Sequence, residues 1–236
     1  MTDDIDQLAQ ARLAADEARI TGSRRRSLGL GEAWRAFWRH PSPWMISAFL
    51  VLSVAGRIAV GAGSWGELVI PAALVALFPL IEWVIHVGIL HWRPRRLAGV
   101  QVDSLLARKH RDHHADPRDL PLVFIPWQAL AWLLPAYVVL ALLAMPSTTA
   151  AWSLLVSIYA LNFGYEWTHY LIHSDYRPRS RGYRAVWRNH RLHHYKNEHY
   201  WFTVTSSGTA DRLLGTHPDP ESVPTSPTAR NLHGAG

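Results

Sequence analysis

Long apolar segments alternate with polar, basic segments along most of this chain. Residues 121–145 contain no Asp, Glu, Lys or Arg, and residues 43–56, 67–90 and 149–165 are nearly as apolar, the last continuing into EWTHYLIH. A helix needs about 20 apolar residues to cross a bilayer. The pattern therefore predicts an all-α integral membrane protein with four transmembrane helices in two hairpins.

Tryptophan residues near the ends of these segments favour membrane helices over the alternative, buried core helices of a soluble protein. Tryptophan is enriched where a bilayer meets water. The residues concerned are Trp44, Trp65, Trp83, Trp92, Trp127, Trp152 and Trp167. Their positions match the two interfaces that four spans would have.

Basic residues fall on one side of this predicted topology. They lie before the first span, between the second and third, and after the fourth, whereas the loops near 62–66 and 146–149 contain no Lys or Arg. Cytosolic loops of membrane proteins carry the excess of Lys and Arg. Both termini and the middle loop are therefore expected in the cytosol. The net charge of +6 then reports topology and contact with anionic membrane lipids rather than nucleic acid.

Composition sets further limits on the chemistry and the organisation. The 236 residues include no Cys, which excludes disulfides, thiolate metal sites and a cysteine nucleophile. Residues 1–33 form a polar segment without the apolar core of a signal peptide. Residues 34–216 hold the predicted membrane domain with a cytosolic helical cap, and residues 217–236 read as an irregular cytosolic tail.

Ten of the 14 histidines form four tight motifs, and all ten fall on the predicted cytosolic side. Two motifs read H-x-x-H-H, and the others place two histidines five and four residues apart. In chain order the ten are His86, His91, His110, His113, His114, His169, His173, His190, His193 and His194. His40, His217 and His233 stand apart, and surface or hydrogen-bonded roles are expected for them.

The spacing of these histidines predicts a centre for two metal ions. His169 and His173 are one helical turn apart on the same face, whereas His86 and His91 converge only if the helix ends or distorts near Gly88. In H-x-x-H-H the first two histidines are expected to share a face, with the third about 100° away, so that one segment reaches two ions. Imidazole donors suit Zn, Cu, Fe and Ni.

Two carboxylates precede histidines within the apolar segments. Glu82 and Glu166 lie about one turn before His86 and His169. A carboxylate at a membrane is costly and usually functional. We expect each to accept the distal N–H of a metal-binding histidine and so fix its tautomer. The alternative is a simple interfacial charge or a helical ion pair.

The order of the motifs resembles that of the fatty acid hydroxylase / sterol desaturase superfamily of integral-membrane di-iron oxygenases. The matching pattern is H-x(4)-H, H-x(2)-HH, H-x(3)-H and H-x(2)-HH, separated by apolar hairpins. The segment HHYKNEHYWFTVTSSGTADRLLGT is also similar to the closing segment of that family. Thr203 stands where the family commonly has Gly, and Ala210 where it has Trp.

The resemblance implies two iron ions bound by the ten histidines, with zinc as an adventitious occupant. It implies O2-dependent hydroxylation of an unactivated C–H bond in a fatty acyl or related lipid substrate. His199 is expected to orient a ligand or line the entrance. The chain lacks the haem motif of a fused cytochrome b5-like domain and any G-x-G-x-x-G fingerprint. Electrons are therefore expected from a separate ferredoxin- or cytochrome-type carrier with its reductase, at a bacterial inner (plasma) membrane.

Other readings of the same residues stay open at this point. Desaturation of a sterol or acyl chain and hydroxylation of a carotenoid ring use similar histidine motifs. A membrane metal-binding or metal-transport protein belongs to a different class, although transporters usually place their ligands near the bilayer midplane. The motif spacing alone does not separate these functions.

Overall fold

The computed structural model describes residues 27–234 of a mostly helical chain. Most of the predicted polar segment 1–33 lies outside the described residues. The helices are α1 (Leu30–Phe37), α2 (Pro41–Ala59), α3 (Val69–Ile85), α4 (Leu105–Ala115), α5 (Leu120–Val123), α6 (Trp127–Ala144), α7 (Thr148–His173), α8 (Arg181–Tyr195) and α9 (Thr209–Leu213). A 3₁₀ turn at Trp65–Leu68 precedes α3, and a π-helical turn at His86–Leu90 continues it.

Three helical stretches are long and apolar enough to cross a membrane: Pro41–Ala59, Trp65–Leu90 and Leu120–Ala144. Their outward faces are apolar, as at Ile58, Trp132 and Leu143, which are all strongly exposed. The fourth predicted span forms α7 but is not among these stretches. Four spans in two hairpins therefore stay a prediction, and the structure supports a membrane protein with three candidate spans.

Helix α7 differs from the other three because it lies at the centre of the bundle. It packs against α2, α3 and α6, and its Leu155 and Tyr159 are fully buried in a core with Ile46 and Leu134. A helix surrounded by protein needs no continuous apolar surface for lipid. The sequence of α7 accordingly mixes apolar residues with Ser, Asn, Glu and His.

Close contact between α2 and α7 depends on a glycine. A Cβ atom added to Gly56 would lie 2.7 Å from the Trp152 ring, so only glycine permits this approach. Small residues have the same role in many membrane helix pairs. The neighbouring charge of Arg57 is satisfied by the Ser153 hydroxyl and by the Gly61 carbonyl, which explains how the first span tolerates it.

A polar cap covers one end of the bundle. It consists of α4, α8, residues 200–216 and the tail 217–234. A two-stranded antiparallel hairpin, β1 (Arg95–Leu97) and β2 (Val100–Val102), stands before α4, so the fold is not strictly all-α. The tail is irregular apart from 3₁₀ turns at Pro220–Ser222 and Leu232–Gly234, but Val223, Ala229 and Leu232 are buried.

Candidate metal centre

All ten motif histidines converge where the cap meets the bundle, in two groups of five. Within each group the candidate ligand atoms lie within 4.8 Å of one another. The first group comprises His86, His91, His110, His114 and His193, and the second comprises His113, His169, His173, His190 and His194. The groups are adjacent, because the rings of His114 and His194 are only 4.3 Å apart. This arrangement offers two neighbouring sites with imidazole donors alone.

Each H-x-x-H-H motif contributes to both groups. In α4, His110 and His114 join the first group and His113 the second, whereas α8 has the reverse assignment. The first and third histidines therefore share a face, which corrects the expected pairing of the first with the second. On an α-helix, positions four apart differ by about 40° and positions three apart by about 60° in the opposite direction. The middle histidine consequently points to the neighbouring group.

The distortion expected between His86 and His91 is a π-helical turn. The amide of His91 donates to the carbonyl of His86 at 2.9 Å, an i→i+5 bond that widens the helix by one residue. The two rings then lie 5.0 Å apart. Single π turns of this type are frequent at functional sites.

The distances between ring nitrogens fit shared metal ions. In the first group the Nε2 atoms of His86 and His114 each lie 3.1 Å from Nε2 of His110. In the second group Nε2 of His190 lies 3.0 Å from that of His173 and of His194. With metal–nitrogen bonds of about 2.1 Å, two ligands at right angles stand about 3.0 Å apart.

Backbone carbonyls determine which nitrogen of several rings carries the proton. The Nδ1–H groups of His86, His114, His169 and His193 donate to the carbonyl oxygens of Phe202, Ala229, Val123 and Tyr200, respectively, at 2.6–2.9 Å. A neutral imidazole with Nδ1 protonated has only a lone pair on Nε2. Lone pairs therefore face each other at close range, as between His114 and His193 at 3.2 Å, and a cation between them relieves the repulsion.

Unpartnered nitrogens support the same interpretation. His113 is 1% exposed, and neither of its ring nitrogens has a hydrogen-bond partner among the described residues. The same holds for Nε2 of His91. A buried polar atom without a partner costs free energy, and metal coordination would satisfy it.

Burial keeps the cap histidines in the neutral form that metals require. Desolvation lowers the pKa of His114 to about 4, against the opposing effects of the Ala229 hydrogen bond and the Glu198 carboxylate. Burial, reinforced by neighbouring histidines, also holds the pKa values of His110 and His193 well below the usual value for histidine. These rings are thus uncharged at neutral pH, with lone pairs available for a metal.

Glu82 and Glu166 do not contact the histidines as the sequence suggested. Glu82 accepts hydrogen bonds from the amides of Val204 and Thr205, and Glu166 accepts one from the amide of Ile125. The histidine N–H groups go to backbone carbonyls instead. A helical spacing of about one turn places a carboxylate near a histidine, but a loop packed between them supplies the closer partner.

The remaining histidines have other surroundings. His199 is 66% exposed and its Nε2 lies 3.6 Å from a carboxylate oxygen of Glu198. His40 stacks on Phe124, His217 is within hydrogen-bonding distance of Asn189, and His233 donates to the carbonyl of His91. The expected hydrogen-bonded roles of His217 and His233 are confirmed, whereas His40 is half-buried and its described contact is with an aromatic ring.

The tail contributes to the site, which sequence reasoning missed. The carbonyl of Ala229 holds His114, and the hydroxyls of Ser226 and Thr228 donate to the buried carboxylate of Glu198. A carbonyl oxygen is present in every residue, so no sequence signal marks this contact.

A cavity of about 50 Å³ also reaches His173 from the surface, with Arg118 and Arg191 in its wall.

Comparisons with known proteins agree with this geometry. The family model described as fatty acid hydroxylase matches residues 71–216, which span all ten motif histidines. The dihydroceramide fatty acyl 2-hydroxylase FAH2 of Arabidopsis thaliana is 29% identical over 183 residues, covering 77% of this chain and 73% of that protein. A solved structure described as full-length Scs7p, with only its hydroxylase domain visible, superposes with a TM-score of 0.62.

The structural match carries the fold alone, because its sequence identity is 22% over 78% of this chain and 69% of that one. The family match carries more, since it extends over more than half of the chain and includes each histidine motif. It confirms the resemblance drawn from the motifs. The chain belongs to the fatty acid hydroxylase family.

Proposed function

We propose that this protein is a membrane-bound di-iron oxygenase that hydroxylates a C–H bond of a fatty acyl chain. The observation that carries the proposal is the pair of adjacent five-histidine groups at the end of an apolar bundle. The reaction consumes one O2, two electrons and two protons, and forms a C–OH group and one water. When bound, the iron ions supply the activation of O2.

The protein's own residues hold the ions and keep water out. All ten histidines except His91 are buried, and four have their tautomer set by a backbone carbonyl. Orientation by an outer hydrogen bond is the usual way in which proteins fix metal-binding histidines. The histidines would supply neutral donors only, so the protein ligands would leave the positive charge of the bound ions uncompensated.

An acyl chain is the substrate that best suits the location of the site. The two groups lie at the ends of α3 and α7, where the apolar bundle meets the polar cap. A lipid could place the carbons nearest its acyl carbonyl group close to the ions, while the rest of its chain stays among the apolar helices. The name of the Arabidopsis relative points to the second carbon of a fatty acyl group, and we propose that position here.

Electrons would reach the centre from a separate carrier of ferredoxin or cytochrome type. One face of α8 bears the buried His190, His193 and His194, and the other bears exposed Arg residues. A basic surface directly behind metal-binding residues suits an acidic carrier. With the cap in the cytosol, the carrier and its reductase would be cytosolic as well.

Lipid analysis tests the proposed reaction. The wild type and the variant His113→Ala would be expressed with a reductase system, and total lipids would be compared by mass spectrometry. A wild-type-specific fatty acyl species heavier by one oxygen is expected. Ser222→Ala is the control, because its hydroxyl donates to the Asp219 carbonyl in an exposed turn, and its product level should remain close to that of the wild type.

The other outcomes separate the alternatives. Loss of two hydrogens instead of gain of oxygen would assign the protein to desaturation. Metal analysis of the same samples adds an independent measurement, with two iron ions expected per wild-type chain. Iron-loaded wild type that leaves the lipids unchanged in the presence of its carrier would contradict the hydroxylase proposal and favour a metal-binding function.

A further inference from the structure

One backbone segment, Tyr200–Phe202, orients two histidines of the first group. The carbonyl of Tyr200 accepts from His193 and that of Phe202 accepts from His86. Trp201 between them is fully buried and has a φ of 55°. This left-handed conformation is unfavourable for a bulky side chain and persists only where surrounding contacts impose it. The segment therefore needs strong external anchors.

Two buried carboxylates provide these anchors by binding four successive amides. Asp211 accepts from the amides of Phe202 and Thr203 at 2.8 and 3.0 Å. Glu82 accepts from the amides of Val204 and Thr205 at 2.6 and 3.0 Å, and from the Thr205 hydroxyl. Hydrogen bonds to a carboxylate are among the stronger ones in proteins. Glu82 is thus linked to His86 through the backbone of residues 202–204, since it binds the amide of Val204 and the carbonyl of Phe202 binds His86.

The second group has an equivalent arrangement on the other half of the chain. Glu166 accepts from the amide of Ile125 at 3.1 Å, and the carbonyl of Val123 accepts from His169 at 2.9 Å. In both halves a carboxylate binds an amide two residues beyond the carbonyl that holds a histidine. In both halves, too, that histidine follows the carboxylate by about one turn in the same helix.

We propose that Glu82 and Glu166 are positioning residues, each of which acts on one metal site through a backbone segment. Glu82 sets the orientation of His86 in the first group, and Glu166 sets that of His169 in the second. Neither carboxylate belongs to the two groups of candidate ligands. The inference rests on the proposed two-metal function and adds to it one positioning carboxylate for each metal site.

Substitution of either carboxylate should weaken metal binding at its own site only. Without Glu82, the amides of Val204 and Thr205 lose their acceptor, the Phe202 carbonyl shifts, and His86 loses its fixed direction. Changes in such outer contacts typically lower metal affinity by about 10–100-fold, and we expect about tenfold here. Glu82→Gln retains one oxygen acceptor and should lose less metal than Glu82→Ala.

The experiment compares metal content in two histidine backgrounds. His169→Ala leaves the first site as the occupied one, and His86→Ala leaves the second. Glu82→Gln and Glu82→Ala should reduce the metal retained against a chelator in the His169→Ala protein and have no further effect in the His86→Ala protein. Glu166→Gln should show the opposite pattern. Thermal unfolding of each sample reports whether the protein remains folded.

Tyr159→Phe is the matched control for a lost buried hydrogen bond. The Tyr159 hydroxyl donates to the Leu134 carbonyl in the bundle core, and its loss should lower the unfolding temperature without changing metal content. Equal metal loss from Tyr159→Phe, equal losses in both backgrounds, or full retention in both Glu82 variants would each overturn the positioning roles. Fewer than two ions in the wild type would instead contradict the two-metal function, and this is determined on the wild-type sample alone.

Discussion

At the residue scale, the main property of the histidines of the cap is that burial makes their protonated form unfavourable. Burial lowers the pKa of His114 to about 4, whereas an unfolded chain would give it a pKa of about 6.5. Between these values the unfolded chain binds a proton that the folded one does not. Acid therefore favours the unfolded state, and stability rises with pH through this window.

We predict that the metal-free protein loses stability steeply as the pH falls from about 6.5 to about 4. The shift of His114 alone corresponds to roughly 3 kcal/mol, and other buried histidines act in the same direction. The unfolding temperature in detergent, measured across this range, checks the prediction. His114→Asn should flatten part of the pH dependence, and Ser222→Ala, which removes no titratable group, should leave it unchanged. A wild-type unfolding temperature that stays constant over this range would contradict it.

At the element scale, residues 226–233 of the tail hold the first group in place, and we call this segment the strap. Ser226 and Thr228 attach it to Glu198, which is 1% exposed, and Ala229 in the same segment holds His114. His233 adds a bond to the carbonyl of His91. The irregular composition of this segment concealed its role, because its contacts are made by hydroxyls and backbone atoms rather than by an apolar repeat.

Loosening this strap should affect the first metal site in particular. In the double variant Ser226→Ala/Thr228→Ala the buried Glu198 loses both hydroxyl donors, at a cost of about 1–3 kcal/mol. We expect a lower unfolding temperature and metal loss in the His169→Ala background but not in the His86→Ala background. Ser222→Ala is the control, since its hydroxyl donates to the Asp219 carbonyl within an exposed turn. Unaltered metal retention in the double variant would show that the strap is dispensable.

At the scale of the whole molecule, the sequence predicted those parts that depend on side-chain identity and period. The histidine motifs, the apolar stretches and the distortion near Gly88 follow from residue type and spacing. The hydrogen-bond partners of Glu82 and Glu166 could not be predicted in this way, because these partners are backbone amides of segments distant in sequence. The fourth span stays a prediction, because α7 lies at the centre of the bundle and is not among the three candidate spans selected by length and apolar composition.

Electron entry is also a property of the whole molecule, because the carrier would dock on the surface of the cap. Arg181, Arg184 and Arg188 are exposed on α8, on the side opposite its buried histidines. Replacing all three with Gln should raise the carrier concentration needed for half-maximal turnover by about tenfold and reduce its salt dependence, as expected for loss of electrostatic steering.

Steady-state turnover at increasing concentrations of a reduced acidic ferredoxin would measure this effect. Arg93, Arg95 and Arg96 are also exposed, but Arg95 and Arg96 lie in strand β1 of the hairpin and Arg93 just before it, so their replacement removes the same charge from a different element. If only net charge mattered, the two triple variants would behave alike. A defect confined to the α8 variant, with metal content unchanged, would assign carrier docking to α8. Turnover and salt dependence equal to those of the wild type would exclude this face, because steering by a basic surface cannot survive the loss of its charge.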